Sequence, residues 1–255
     1  MRRKEFKVIM VSVLALALAV GCSENKDSDK VDLQFRLTDM PGEYQQVNID
    51  VQEVNVILND TLIELATNQG IYNLLEFMNG KDTLIVDDEV PSGLISQIRL
   101  VLGEQNTIMV DSVLHDLKTP SAQQSGLKLN VHNEFVAGES YAYVIDFMVE
   151  KSIVARGNGT YSLKPVIRVF TEALTGSVQG VVSPAGAKAL VRVMNESDTA
   201  STYADTTSGK FMVRGLEEAV YSIEFLPVEG FSDSILNDIE VLAGQATVLD
   251  TMFLN

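Results

Sequence analysis

The chain contains few of the residues that most often crosslink a fold or carry chemistry. It has one cysteine, two histidines and no tryptophan in 255 residues. A single cysteine excludes an internal disulfide framework, so the fold must depend on its hydrophobic core. His115 and His132 stand in no zinc-binding spacing, and each is expected to be an ordinary strand residue. The absence of tryptophan removes the indole face on which sugars often stack.

Positive charge is also scarce. The chain has 19 Lys and Arg against 35 Asp and Glu, for a net charge of −16. Such a chain repels nucleic acid and anionic lipid head groups, so neither is an expected partner. No G-x-S-x-G motif or phosphate-binding glycine loop occurs. The acidic run Asp87-Asp88-Glu89 lacks the spacing of a calcium loop and predicts a solvated turn. We therefore expect no catalytic residue, no metal and no cofactor.

The first 22 residues have the three zones of a secretory signal. Basic residues come first, an apolar run from Val8 to Val20 broken only by Ser12 follows, and Gly21-Cys22 ends it. A membrane-spanning helix needs about 20 apolar residues, which is longer than this run. A basic region, a short apolar run and a small residue before the cut indicate a signal peptide over residues 1–21.

The sequence Ala19-Val20-Gly21-Cys22 resembles the lipobox of bacterial lipoproteins, with Ala19 where leucine is usual. The resemblance implies that Cys22 is acylated, with palmitate-type chains, and binds membrane lipid. An ordinary secreted protein with a free thiol is the alternative. Residues 22–30 predict a lipidated cysteine and a flexible acidic tether. Acidic residues after the cysteine resemble the surface-export signal of Bacteroidota lipoproteins, so we expect an outer-membrane lipoprotein at the cell surface. A periplasm-facing position is the alternative.

Alternation of apolar and polar residues dominates the rest of the chain. Residues 31–37, 98–102, 127–131 and 141–147 follow the period of a half-buried strand. The apolar phase slips after Val51, which predicts a β-bulge near Gln52-Glu53. Only residues 71–78 suggest two helical turns. The pattern predicts an all-β fold of two tandem antiparallel β-sandwich domains, at residues 31–174 and 175–255, after the signal peptide and tether.

Motifs spread over residues 31–170 resemble the domain of unknown function 4382 family. They are LTDMPG at 37–42, VNIDV at 47–51, SQIRLVL at 96–102, TPSAQQSGLKL at 119–129 and LKPVIRV at 163–169. The family occurs in lipoproteins and has no assigned activity. The resemblance therefore implies class and location without implying chemistry.

The remaining residues resemble the carboxypeptidase regulatory-like, transthyretin-type domain. The matching stretches are TGSVQGVV at 175–182, SGKFMVRGL at 208–216 and YSIEF at 221–225. Ala219 stands where that family usually has glycine, so the turn before Tyr221 is expected to differ. The resemblance implies a seven-stranded sandwich of the carbohydrate-binding-like class. Fold does not by itself imply function.

One short pattern exceeds its expected frequency. Composition predicts about one triplet of Asp, then Ser or Thr, then an apolar residue or Thr. Seven occur, and they resemble the O-glycosylation acceptors of Bacteroidota envelope proteins. The candidate acceptors are Thr61, Thr83, Ser112, Thr199, Thr206, Ser234 and Thr251. The competing interpretation is that Asp-Thr is a natural turn-to-strand step in β proteins.

These features favour a non-catalytic, membrane-anchored envelope lipoprotein that acts as a binding or scaffold module. Glycans and other envelope proteins are the candidate partners. Tyr141, Tyr143 and Tyr161 could offer a stacking face, although the spacing of the first two favours a place in the core. A fimbria-associated subunit is the alternative, with residues 248–254 as a candidate donor strand. A glycoside hydrolase built on dispersed carboxylates is a further alternative.

Overall fold

A computed structural model of the chain describes residues 29–40, 44–119, 126–157 and 159–255. The predicted signal peptide, Cys22 and most of the tether lie outside these residues. The described part is mostly β-structure, which confirms the predicted all-β sandwich class. Its only α-helix is α1, Val149–Ser152. In this part no helix has both the length and the apolar character needed to cross a membrane.

Thirteen strands make up the first sandwich. In chain order they are β1 Lys30–Met40, β2 Gln46–Leu58, β3 Thr61–Glu64, β4 Gly70–Asn73, β5 Thr83–Pro91, β6 Gly93–Leu102, β7 Thr107–Val110, β8 Val113–Lys118, β9 Leu127–Phe135, β10 Ser140–Met148, β11 Ile153–Ala155, β12 Tyr161–Leu163 and β13 Ile167–Thr171. One sheet has the order β13-β10-β1-β5. The other has the order β11-β12-β8-β7-β2-β6-β9, with β3 and β4 also paired to β2.

The bulge in β2 allows one long strand to bury both of its halves. Val47, Ile49 and Val51 are fully buried, and so are Val54 and Val56, which have the opposite parity. The pairing of β2 with β6 shifts register between Val51 and Glu53. An extra residue at that point returns the apolar side chains to the core. The predicted bulge is therefore confirmed.

Eight strands make up the second sandwich: β14 Gly176–Ser183, β15 Leu190–Met194, β16 Thr199–Tyr203, β17 Lys210–Leu216, β18 Ala219–Leu226, β19 Ser234–Val241, β20 Ala246–Val248 and β21 Met252–Phe253. One sheet has the order β17-β14-β20, with β21 also on β14. The other has the order β16-β15-β18-β19. Alternating residues such as Val191, Phe211 and Tyr221 form its core, which Met148 at the end of β10 also joins.

Two features of the sheets differ from the sequence-based expectations. Three of the four sheets are mixed. In the first of them β1 pairs with β10 in parallel, from Asp32 opposite Ser140 to Met40 opposite Met148. The expected helix at residues 71–78 is only half helical. Gly70–Asn73 pairs with β2 as strand β4, and Leu74–Phe77 forms a 3-10 helix. Pairing with the long strand β2 gives these backbone groups partners that two isolated helical turns could not supply.

Two further expectations were wrong. Asp87-Asp88-Glu89 is part of strand β5 and does not form a turn. Its three carboxylates accept from different groups: the Gln34 amide, the Ala66 N–H and the Lys30 ammonium. Residues 248–254 do not form a free donor strand. β20 and β21 pair in parallel with β14 of the same chain, and Leu254 is buried in the core.

Candidate functional site

Arg168 on β13 joins the two sandwiches through all five of its N–H groups. Nε and one terminal nitrogen donate to Asp146 Oδ2 on β10, at 3.2 and 2.7 Å. The remaining donors reach the second sandwich at Asp198 Oδ2 and at the carbonyls of Arg214 and Gly215, over 3.3–3.5 Å. A guanidinium has five donors, so Arg168 has none left for a ligand. Its role is to position the two sandwiches.

The carboxyl group that receives Arg168 is almost inaccessible. The Asp146 side chain is 4% exposed, and its Oδ1 accepts no hydrogen bond from the described residues. Burial raises the pKa of Asp146 above its ordinary value, although the nearby Arg168 charge acts in the opposite direction. A buried ion pair of this kind costs desolvation energy and is most valuable for fixing geometry.

Arg214 makes the reciprocal connection from the second sandwich to the first. It extends from β17 to Asp82 Oδ2 at 2.8 Å and to the Lys81 carbonyl at 3.3 Å. Arg36 holds the other oxygen of Asp82 at 2.8 Å. Burial alone would raise the pKa of Asp82, but the hydrogen bonds and charges of Arg214 and Arg36 outweigh burial and lower it.

The junction is closed by two tight contacts. The Asn79 side chain donates to the Lys210 carbonyl at 2.9 Å and accepts from the Met212 N–H at 2.6 Å, so it covers the outer edge of β17. Gly215 has a φ of +71°, and a Cβ there would lie 2.5 Å from the Phe170 ring. Only glycine combines that backbone conformation with such close packing. The junction is therefore a built interface and not a loose linker.

A cleft opens beside this junction. It has a volume of about 590 Å³ and is bounded by β9, by β13 and by two loops of the second sandwich. The residues that carry its chemistry are Asn133, Tyr143, Thr171, Asp198, Glu217 and His132. Two sheet edges and two domains thus contribute to one concave surface, which is a common setting for a ligand site.

The polar groups of the cleft include two that have spare hydrogen-bonding capacity. Asn133 Nδ2 donates to the Tyr143 hydroxyl at 2.9 Å, so that hydroxyl retains its own proton to donate. Burial raises the pKa of Tyr143, so the phenol stays protonated at neutral pH. Thr171 Oγ1 is buried and forms no hydrogen bond with any described residue. Both residues line the cleft.

The acidic groups of the cleft are Asp198 and Glu217. Asp198 also pairs with Arg168, and its Oδ1 accepts from the Thr199 N–H at 2.8 Å. Glu217 is exposed. No group of three or more potential metal ligands comes together in the part of the chain that the structure describes.

The histidines and tyrosines singled out in the sequence occupy different environments. His132 is exposed on β9 in the cleft, whereas His115 lies on β8 with its ring 5.0 Å from that of Tyr161. Tyr143 stacks on Phe35 in the core at 5.5 Å, and Tyr141 packs on Phe135 at 4.7 Å. Of these residues, only His132 and Tyr143 line the cleft, and the ring of Tyr143 is buried.

The seven candidate acceptors are spread over both sandwiches. Four of them, Thr61, Ser112, Thr206 and Thr251, are exposed, and Thr83, Thr199 and Ser234 are half-buried. Several of the triplets have a clear backbone role. Two of them contribute to tight hairpin turns whose central residues have positive φ: Asn59-Asp60 between β2 and β3, and Asp111-Ser112 between β7 and β8. Asp205 Oδ1 accepts from the Ser208 N–H at 2.7 Å. Turn chemistry thus accounts for part of the recurrence.

The junction residues were not predicted from the sequence. Asp146, Arg168 and Arg214 are each a single charge within an apolar strand segment, and this pattern was the available signal. Alternation assigns such residues to a solvated face. The alternation pattern could not show that these three side chains meet at the junction, because β10, β13 and β17 are not adjacent in the chain.

Comparison with solved structures gives distant likenesses. The Bacillus anthracis TIE protein is 13% identical with a TM-score of 0.26, and 83% of this chain aligns with 35% of it. A leucine-rich repeat protein from Bacteroides thetaiotaomicron is 11% identical with a TM-score of 0.21, over 88% and 26% of the two chains. A streptococcal ancillary pilin is 11% identical with a TM-score of 0.25, over 88% and 68%. The chain thus spans about a third or less of the first two proteins.

Comparison at the level of sequence is more informative. A search of curated proteins finds no match. The family model described as a domain of unknown function, DUF4382, matches residues 30–165. This match covers more than half of the chain, including β1, β2, β6 and β10 of the first sandwich. The chain therefore belongs to the DUF4382 family.

Proposed function

We propose that the chain is a membrane-anchored, non-catalytic binding module whose ligand site is the junction cleft. The observation that carries the proposal is that both sandwiches supply the walls of the cleft while Arg168 and Arg214 fix the two walls relative to each other. A pre-organised site loses little free energy to ordering when a ligand binds. Glycans and other envelope proteins are the candidate ligands.

The proposal includes an anchor and a location. Acylated Cys22 would bind membrane lipid, and the tether would carry the sandwiches at the outer membrane, with surface display. β1 begins at Lys30 and reaches the junction at Thr38 and Asp39. At about 3.3 Å per residue, that strand separates the tether from the junction by about 30 Å. We also propose that residues 175–255 form a carboxypeptidase regulatory-like domain, a view supported by their two small sheets.

Binding can be tested with a variant that blocks the cleft. Ser197 is exposed on the cleft wall, so Ser197→Arg places a long side chain in the cleft. Ser232 is exposed in a loop of the second sandwich and does not line the cleft, so Ser232→Arg is the matched control. Full-length protein in mild detergent would be applied to a glycan array and used for pull-down from native membranes. We expect a partner that wild type and Ser232→Arg retain and Ser197→Arg loses. No partner in either assay, or equal retention by all three proteins, would contradict the proposal.

A further inference from the structure

We propose that the cleft receives an extended segment of a partner protein, which adds as a strand to the open edge of β13 and carries a lysine or arginine toward Asp198 and Glu217. This inference rests on the proposed function and names the class of partner. Three observations support it: the direction of the β13 backbone groups, the charge of the cleft and the burial of the phenylalanine and tyrosine rings in its walls.

The first observation concerns Val169. The Met148 N–H donates to the Val166 carbonyl at 2.9 Å, and Ile145 lies opposite Val169 in the antiparallel register of β10 and β13. Hydrogen-bonded and non-hydrogen-bonded pairs alternate in such a ladder. The N–H and C=O of Val169 therefore point away from β10. No described residue hydrogen-bonds to them, and Val169 lines the cleft.

Parts of three other edges in the described residues are covered. The outer edge of β5 receives the Asn68 N–H at the Ile85 carbonyl, at 2.8 Å, and an isolated bridge joins Thr67 to Val86. The Asn79 amide covers β17. On β9 the Tyr141 hydroxyl donates to the Glu134 carbonyl at 3.2 Å. Proteins usually cover open edges because such edges attract other strands. The open groups of Val169 lie inside a cleft, and they form the docking point.

The second observation concerns charge. Arg168 is the only lysine or arginine among the residues that line the cleft, and its five donors are already used. Asp198 and Glu217 remain as acidic groups. A positively charged side chain matches this surface, whereas an anionic ligand would meet two carboxylates without a free cation.

The third observation separates a peptide from a sugar. The phenylalanine and tyrosine side chains in the cleft walls are Tyr143 and Phe170, which are 3% and 9% exposed. Neither presents a ring face on which a sugar could stack. In contrast, Leu174 is 65% exposed on the wall and offers an apolar contact for a side chain. Main-chain groups for pairing, an apolar contact and two carboxylates together fit an extended basic segment.

Strand addition can be tested with Val169→Pro. Proline removes the outward N–H, while the β10–β13 hydrogen bonds, which use Arg168 and Phe170, remain in place. Random linear peptides displayed on phage would be selected on full-length wild type in detergent. Affinities of the enriched peptides would then be measured by fluorescence polarisation. We expect enriched sequences with lysine or arginine in a proline-free stretch, and at least about tenfold weaker binding to Val169→Pro. A far-ultraviolet spectrum and melting temperature like those of wild type establish that the variant folds.

A second pair of variants tests the charge. Glu217→Lys reverses a cleft charge, and Glu218→Lys reverses the adjacent exposed charge, which does not line the cleft. We expect Glu217→Lys to weaken the basic peptides about tenfold and Glu218→Lys to have little effect. Equal binding by all variants, or enrichment of acidic peptides, would overturn the inference. If a glycan binds in a manner that Ser197→Arg blocks and no peptide does, the cleft is still a ligand site and strand addition is wrong.

Discussion

Arg168 donates a hydrogen bond to the backbone carbonyl of Arg214 at 3.3 Å, while the side chain of Arg214 points back across the junction to Asp82. Each sandwich therefore sends one arginine into the other. The two arginines make the relative position of the sandwiches a property of the fold, which in turn fixes the shape of the cleft.

Removing Arg168 should destabilise the junction strongly. Arg168→Met leaves the carboxyl of Asp146 buried without its partner, so we expect a loss of about 3 kcal/mol in unfolding free energy. The control is Arg192→Met, because Arg192 pairs with Glu224 on a half-exposed face, with side chains 37% and 27% exposed. Arg192→Met should lower the unfolding free energy by less than about 1 kcal/mol. Urea denaturation measures both values. Equal costs for the two variants would contradict the assigned role of Arg168.

Gly215 should tolerate alanine much less well than another glycine of similar conformation. Gly138 has a φ of +80° and no atom within 4 Å of its notional Cβ, whereas Gly215 has the Phe170 ring at 2.5 Å. Positive φ costs about 1 kcal/mol in both alanine variants. The clash should add at least about 1 kcal/mol in Gly215→Ala alone. Thermal unfolding would compare them, and equal melting temperatures would show that Phe170 moves aside freely.

Acid should weaken the contact at Asp82. The pKa of this carboxyl lies below its ordinary value in the folded protein, so the unfolded chain binds a proton first as pH falls. The resulting stability is present above the ordinary pKa and is lost as pH falls through the lowered folded value. We expect the unfolding free energy of wild type minus that of Asp82→Asn to decrease below about pH 4.

The control for the acid experiment is Asp116→Asn, which removes an exposed carboxylate on β8 away from the junction. Asp146 is present in all three proteins, so the opposite contribution of its raised pKa cancels from the difference to first order. A difference between wild type and Asp82→Asn that stays constant with pH would refute this account.

Glycosylation should fall on the exposed acceptors. Thr61, Ser112, Thr206 and Thr251 are accessible, whereas Thr83, Thr199 and Ser234 are half-buried in or beside strands. We expect an intact mass of native protein above that of lipid plus polypeptide, and a smaller mass after alanine replaces the four exposed acceptors. Replacing the three half-buried acceptors is the control and should leave the mass increment unchanged. A native mass that matches lipid plus polypeptide would remove the hypothesis.

Cys22 should determine where the protein is found. Cys22→Ser removes the predicted acylation site, so we expect the protein to move from the membrane fraction to the soluble fraction. Globomycin, which blocks lipoprotein signal cleavage, should cause a lipidated precursor of wild type to accumulate. An unchanged distribution of Cys22→Ser between fractions would contradict the lipoprotein interpretation.

The sequence predicted those features of the fold that depend on local pattern. The strands with period two and the bulge after Val51 follow from which residues can face a core. The helix expected at residues 71–78 was half wrong, because β4 pairs with residues of β2 that lie 19 to 25 positions earlier in the chain. The parallel pairing of β1 with β10 joins residues more than a hundred positions apart, and no local signal specifies it.

The site was beyond prediction for a related reason. Single charges in the apolar segments around Asp146, Arg168 and Arg214 are visible in the sequence, but alternation assigns them to water. Their burial results from contact between two sandwiches. The open groups of Val169 likewise become apparent only when the register of β10 and β13 is known.

The central place of β1 has a mechanical consequence. If the chain is tethered ahead of Lys30 and a partner pulls on the second sandwich, the load acts along β1 against its two neighbours, β10 and β5. Force in that direction shears many interstrand hydrogen bonds at once instead of opening them one by one. A domain arranged in this way would resist extraction by a moving ligand or by fluid flow much better than one pulled from the edge of a sheet.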